Sequence, residues 1–133
     1  MDGDLISVWG ETDGSSTSGT FTLNSDAFTN TPTEIAIPKG FKAKIWAIEI
    51  SGEACDVSIE ISKDAGDTWK KVKTFKLASA GELTIEKKSR PLVVISETPY
   101  AAGTTGTLLK FTWSQTTAAK TYLNALIEII KDE

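Results

Sequence analysis

The sequence predicts an all-β protein, an antiparallel β-sandwich of jelly-roll type with about 8 main strands. Three observations predict it. Ile, Val, Thr, Phe, Trp and Tyr gather in short runs. Gly, Pro, Asn, Asp and Ser separate those runs. Turn signals recur roughly every 8 to 12 residues, the spacing of a sandwich or barrel. The 133 residues fit one domain, 1–133, and a 40% hydrophobic content suffices for one packed core. No internal repeat or domain boundary is visible.

Leu5 to Trp9 reads as the first strand. Residues 10–19 (GETDGSSTSG) are polar, rich in glycine and serine and without periodicity, so a flexible loop is expected there. Thr20 to Leu23 and Thr33 to Ile37 read as short strands. Pro38-Lys39-Gly40 then supplies a turn, with φ fixed by proline and positive φ open to glycine. Phe41 to Ile50 is the longest early strand, and its apolar residues switch parity. Phe41, Ala43 and Ile45 share one face, then Trp46, Ile48 and Ile50 share the other. Burial on both sides, or a β-bulge, produces that pattern.

Val57, Ile59 and Ile61 alternate with Ser58 and Glu60, a half-buried strand. Trp69 to Leu77 returns as its partner, with Lys70, Lys71, Lys73 and Lys76 toward water. Leu83 and Ile85 alternate with charge after a turn at Gly81, and Leu92 to Ile95 is a continuous apolar run that suggests a buried strand. Residues 98–106 read as a loop, after which Leu109, Phe111 and Trp113 alternate with Lys110 and Thr112. Residues 119–130 fit two periods. Leu123, Ile127 and Ile130 suit a helix face, whereas Thr121, Leu123, Ala125, Ile127 and Ile129 suit a strand face. The isoleucine-rich end and the lack of an N-cap box favour strand.

Composition narrows the function. Net charge is −4 and the longest basic stretches are Lys70-Lys71 and Lys87-Lys88, so no positive face for nucleic-acid phosphates is expected. There is no histidine, which removes the usual general base, the commonest metal ligand and any Ser-His or Cys-His mechanism. Cys55 stands alone, flanked by Glu53 and Asp56, which oppose a thiolate; it reads as a structural thiol. The segment Met1-Asp2-Gly3-Asp4-Leu5 lacks a secretion signal's charged and apolar regions. No apolar run is long enough to span a membrane. No catalytic residue, cofactor or metal is expected.

Ser62-Lys63-Asp64-Ala65-Gly66-Asp67-Thr68-Trp69 has the spacing S-x-D-x-G-x-T-W. It resembles the Asp-box, a β-hairpin motif of sialidase-type propellers, with Ser62, Asp64, Gly66, Thr68 and Trp69 in the signature positions. The resemblance implies a folding device: an Asp that accepts backbone N–H bonds within its turn, a Gly for an unusual φ, and a Trp folded onto the hairpin. A propeller needs several blades of about 40 residues, so a single motif in 133 residues names a hairpin from Val57 to Leu77 and no sialidase. Asp64 and Asp67 do not form a D-x-D-x-D-G calcium loop.

Four tryptophans invite a sugar-stacking reading. Trp46 and Trp113 lie within strand patterns and are expected in the core, leaving Trp9 and the loop residue Tyr100 as ligand or interface aromatics. Glu60 and Glu86 alternate with core residues and point to solvent; no carboxylate pair is set for glycoside hydrolysis.

The run Ile35 to Ile45 (IAIPKGFKAKI), a long strand and the hairpin after it resemble small single jelly-roll virion proteins of phages and archaeal viruses, namely coat, decoration and spike-base proteins. That resemblance implies a non-enzymatic capsid, decoration or spike-base subunit located in a virion. It would act by homo-oligomeric assembly, as a trimer or pentamer, with itself and other virion proteins as partners. The alternative is a carbohydrate-binding module with a glycan partner at Trp9 and Tyr100. A small hydrolase is a third reading, opposed by the missing histidine and nucleophile motif.

Overall fold

The computed structural model describes residues 4–25, 32–86, 89–96 and 106–131. The described residues form ten strands: β1 (Asp4–Glu11), β2 (Ser18–Thr20), β3 (Ile35–Ile37), β4 (Phe41–Gly52), β5 (Cys55–Ser62), β6 (Lys70–Leu77), β7 (Gly81–Glu86), β8 (Val93–Ser96), β9 (Thr107–Ser114) and β10 (Thr121–Lys131). They build two five-stranded sheets in which every pairing is antiparallel. Sheet one runs β1-β10-β4-β7 and sheet two β2-β9-β5-β6.

The extra strand of each sheet shares an edge with another. β10 occupies one edge of β4 throughout, so β7 (against Ala47 to Gly52) and β8 (against Lys42 to Ile45) follow one another along the opposite edge. Likewise β2 and β3 divide the edge of β9 that β5 leaves open. Each sheet is thus four positions wide. With β2/β3 as the second position and β7/β8 as the sixth, the orders are 1-8-3-6 and 2-7-4-5. That is the jelly roll, and its eight positions are the eight main strands expected.

The parity switch in β4 is a bulge. Leu126 faces Ala47 and Ile127 faces Ile45, so Trp46 has no residue opposite it. The inserted residue returns Ile48 and Ile50 to the same side as Ala43 and Ile45, and all four are buried in one core. Trp46, expected inside, is displaced to the outward side and is only half-buried. A similar insertion in β6 leaves Val72 without a residue opposite and 37% exposed.

The core is a single cluster between the sheets. Phe21 and Trp113 meet in it edge to face, centroids 5.1 Å apart at 61°. Gly19 lies against the Trp113 ring so closely that a Cβ would come within 2.5 Å of Cη2. β10 has the strand period, with Thr121, Leu123, Ala125 and Ile127 buried.

The polar segment expected over 10–19 is shorter, because Gly10 and Glu11 belong to β1 and Ser18 and Gly19 to β2. Within it Asp13 Oδ1 accepts the Ser15 and Ser16 N–H groups at 2.9 and 2.8 Å. Of the strand expected from Thr20 to Leu23, only Thr20 joins β2. The chain then crosses between sheets: Phe21 N–H donates to Phe111 O (2.9 Å), and Asn24 exchanges backbone bonds with Trp9 on the edge of β1 (2.8 and 3.0 Å). The turn before β4 forms as expected, with Phe41 N–H on Pro38 O at 3.0 Å and Gly40 at φ 84°.

Candidate functional site

β5 and β6 form the hairpin, and residues 62–69 its turn region. Ser62 is buried at the end of β5; its hydroxyl donates to Asp64 Oδ1 (2.7 Å) and accepts the Gly66 N–H (2.9 Å). Asp64 Oδ1 also accepts the Thr68 N–H (2.8 Å), and Oδ2 accepts the Thr68 hydroxyl (2.5 Å). Ala65 and Gly66 both have left-handed backbones, φ 61° and 96°. The Trp69 indole N–H donates to Gly66 O at 3.1 Å, and Lys110 Nζ lies 4.0 Å from the ring centroid. The structure therefore brings all five residues of the octapeptide together.

This turn stabilises charge. Bonds from the Thr68 hydroxyl and N–H, and from the Ser62 hydroxyl, pull the Asp64 carboxyl down to about 2. An acid so depressed stays ionised and is a poor proton donor. Asp67 contributes no bond to this network beyond its backbone N–H on Asp64 O (3.3 Å). Among the described residues no group of three or more Cys, Asp or Glu is gathered to hold a metal ion. Among the described residues no helix is long and apolar enough to cross a membrane.

The outward faces of the two sheets differ. That of sheet two is polar: Ser58 bonds Thr74 (2.9 Å), the Thr112 hydroxyl donates to Glu60 (2.6 Å), and all four lysines of β6 are exposed along the sheet edge. Charged edges resist pairing with another sheet. On the outer face of sheet one, exposed hydrophobic residues stand among charged and polar ones such as Lys44, Glu49, Glu86 and Asn124. Five large hydrophobic residues are exposed among the described residues: Leu5 45%, Trp9 38%, Val72 37%, Val94 52% and Tyr122 47%. All but Val72 project from the outer face of sheet one, as their register with Glu128, Asn124, Lys44 and Glu11 fixes.

Trp46 and Glu128 lie on that face too. Glu128 is buried, its Oε1 accepts the Trp46 indole N–H at 3.1 Å, and its Oε2 has no partner. A shallow groove of about 290 Å³ runs between Ala47, Glu49, Thr84, Glu86, Asn124 and Leu126.

Trp9 is on the surface, as its sequence position suggested; Tyr100 lies outside the described residues. Among the described residues, Tyr122 is an aromatic neighbour of Trp9, two residues along β10 from Asn124, the residue opposite Trp9. Sequence reasoning missed Tyr122 and Leu5, and it expected Val94 in a buried strand, whereas β8 pairs only with β4 at the edge of sheet one and Val94 faces outward. The signal for Tyr122 was its alternation with the buried set Thr121, Leu123 and Ala125, legible only once β10 is known to be a strand.

No protein-family model matches the chain, and no curated protein sequence matches it. Solved structures to which it is similar include Bacillus endospore appendages, a family of disulfide-linked pili (TM-score 0.44, 10% identity, covering 98% of this chain and 87% of that one). Another is TmCBM61 in complex with β-1,4-galactotriose (TM-score 0.39, 14% identity, 96% and 70%). A third is broad bean stain virus (TM-score 0.32, 16% identity, 100% and 79%). Viral and pilus structural proteins are thus among the similar structures. Likeness at this level carries no argument about function, and the fold assignment rests on the strand order itself.

Proposed function

We propose that the chain is a single β-sandwich domain acting as a non-enzymatic structural subunit that works by binding copies of itself, in a virion as a capsid, decoration or spike-base protein. One observation carries the reading: Leu5, Trp9, Val94 and Tyr122, four of the five exposed large hydrophobics among the described residues, share the outer face of sheet one. Leu5 and Trp9 stand two residues to either side of Ser7 on β1 and Tyr122 lies diagonal to Trp9, so three of the four gather at one side of the face, with Val94 across β10 and β4. The turn at 62–69 is read as an Asp-box in its structural sense, holding one hairpin, with Ser62, Asp64, Gly66, Thr68 and Trp69 serving stability. Light scattering at micromolar concentration tests the reading. A mass of several subunits is expected, and a strict monomer would overturn it. Electron microscopy of that assembly tests the virion role: closed shells or symmetric rings support it, amorphous clusters do not.

A second reading has its own observation. Trp9 and Tyr122 are diagonal neighbours on one exposed sheet face, which suits stacking of a sugar chain. Calorimetric titration with soluble polysaccharides is the test. Binding abolished by Trp9→Ala supports a glycan partner, and absence of binding removes it.

A further inference from the structure

We propose that the outer faces of sheet one from two copies pack together about a two-fold axis that lies in the interface, perpendicular to the strands, and crosses β4 at Trp46-Ala47. This rests on the self-association reading and specifies its partner surface. An isologous contact requires a patch complementary to itself after rotation. Along β4 the outward residues run from Lys44 through the apolar Trp46 and Ala47 to Glu49, positive at one end and negative at the other. The proposed rotation reverses each strand over its own copy, so Lys44 of each subunit faces Glu49 of the second.

The other strands obey the same operation. Leu126 is opposite Ala47 and Ser7 opposite Leu126, so the axis also crosses β10 at Leu126 and β1 at Ser7. Leu5 and Trp9, two residues to either side of Ser7, then exchange places and bring exposed apolar surface onto exposed apolar surface. Tyr122 and the half-buried Ile130, four residues to either side of Leu126, also exchange places. Charge thus meets opposite charge on β4 and apolar meets apolar at these positions of β1 and β10, while Glu128 meets Asn124, Lys42 meets Ser51 and Val94 meets Thr84. The face measures about 20 Å by 30 Å from general strand spacing and rise. That approaches the roughly 800 Å² per partner of a standard stable interface.

Glu86, opposite Ala47 on the edge strand β7, is the one outward charge that meets its own copy near the axis. Glu86 is exposed on the edge strand, where solvent and salt screen the like charges. The two-fold yields even assemblies: a dimer, or two rings stacked face to face.

Sedimentation equilibrium on the full chain tests the proposal with Lys44→Glu, Glu49→Lys and the double charge swap. Each single change places two like-charge contacts across the axis and is expected to weaken association at least about tenfold. The double swap restores opposite charges and is expected to return the dissociation constant to within about threefold of the parent. Unfolding curves confirm that each variant remains folded. A parent that associates with affinity unmoved by either single change overturns this interface and leaves self-association standing. A parent that stays monomeric at about 100 µM overturns both.

Discussion

Trp46 sits at the inserted position of the β4 bulge and donates its indole N–H to Glu128 Oε1 at 3.1 Å, the hydrogen bond that anchors a buried carboxylate on the outer side of sheet one. The bulge turns the Trp outward, and Glu128 is opposite Lys44, two residues from Trp46. The second carboxylate oxygen has no partner, so the indole bond matters more. Removing one partner leaves a buried acceptor that water does not serve. Trp46→Phe keeps most of the ring and removes the N–H. It is expected to destabilise the fold by about 1–3 kcal/mol. Urea unfolding of the two proteins measures it, and equal midpoints would show that the bond contributes nothing.

Asp64 predicts an acid-dependent contribution from the hairpin turn. Its carboxyl falls from 3.8 to about 2 in the folded state because the folded turn bonds the charged form. The contribution is therefore complete above the unfolded value and is lost as pH falls through the folded one. Asp64→Ala is expected to lower the thermal midpoint at pH 5 to 7, with the gap closing between pH ~4 and ~2. Scanning calorimetry across that range decides it. A gap that is constant with pH would mean that the loss comes from packing, not from the carboxylate.

Gly19 and Trp113 predict a steric coupling. A Cβ on Gly19 would meet Trp113 Cη2 at 2.5 Å and Cζ2 at 2.6 Å, inside a core the ring shares with Phe21. Gly19→Ala is expected to cost about 1–3 kcal/mol by overpacking. The Trp113 indole N–H has no partner, so Trp113→Phe sacrifices no hydrogen bond and opens room. In that background Gly19→Ala is expected to cost less than about 1 kcal/mol. A double-mutant cycle by denaturant unfolding reads the difference; strict additivity would locate the cost elsewhere.

Cys55 predicts a silent thiol. It is buried at 3% exposure, and burial, with the neighbouring Asp56 charge, pushes its thiol up to about 11. At pH 8 a disulfide reagent is expected to leave the native protein unmodified and to titrate one thiol in guanidinium. Rapid labelling of the native state would show that the end of the sandwich around Ala54 and Gln115 opens readily.

Most strands were legible because the period of two is a local property. Val57, Ile59 and Ile61 mark β5, and Leu109, Phe111 and Trp113 mark β9, without knowledge of any neighbour. The octapeptide from Ser62 to Trp69 was legible for the same reason, since its bonds close within the turn. The crossing at Phe21 to Asn24 was not, because its backbone partners are Phe111 and Trp9, remote in sequence.

By itself the sequence determined the all-β class, the approximate strands, the hairpin turn and the lack of histidine chemistry. Each follows from composition or from spacing along the chain. Only the tertiary structure decided that Trp46 points outward, that Tyr122 lies diagonal to Trp9, and that Leu5, Trp9, Val94 and Tyr122 share a face. Alternation sorts a strand's residues into two sets but does not say which set of each strand meets which set of the next. Register across β1, β10 and β4, and the one residue inserted at the bulge, settle that, and with it the surface the protein offers to a partner.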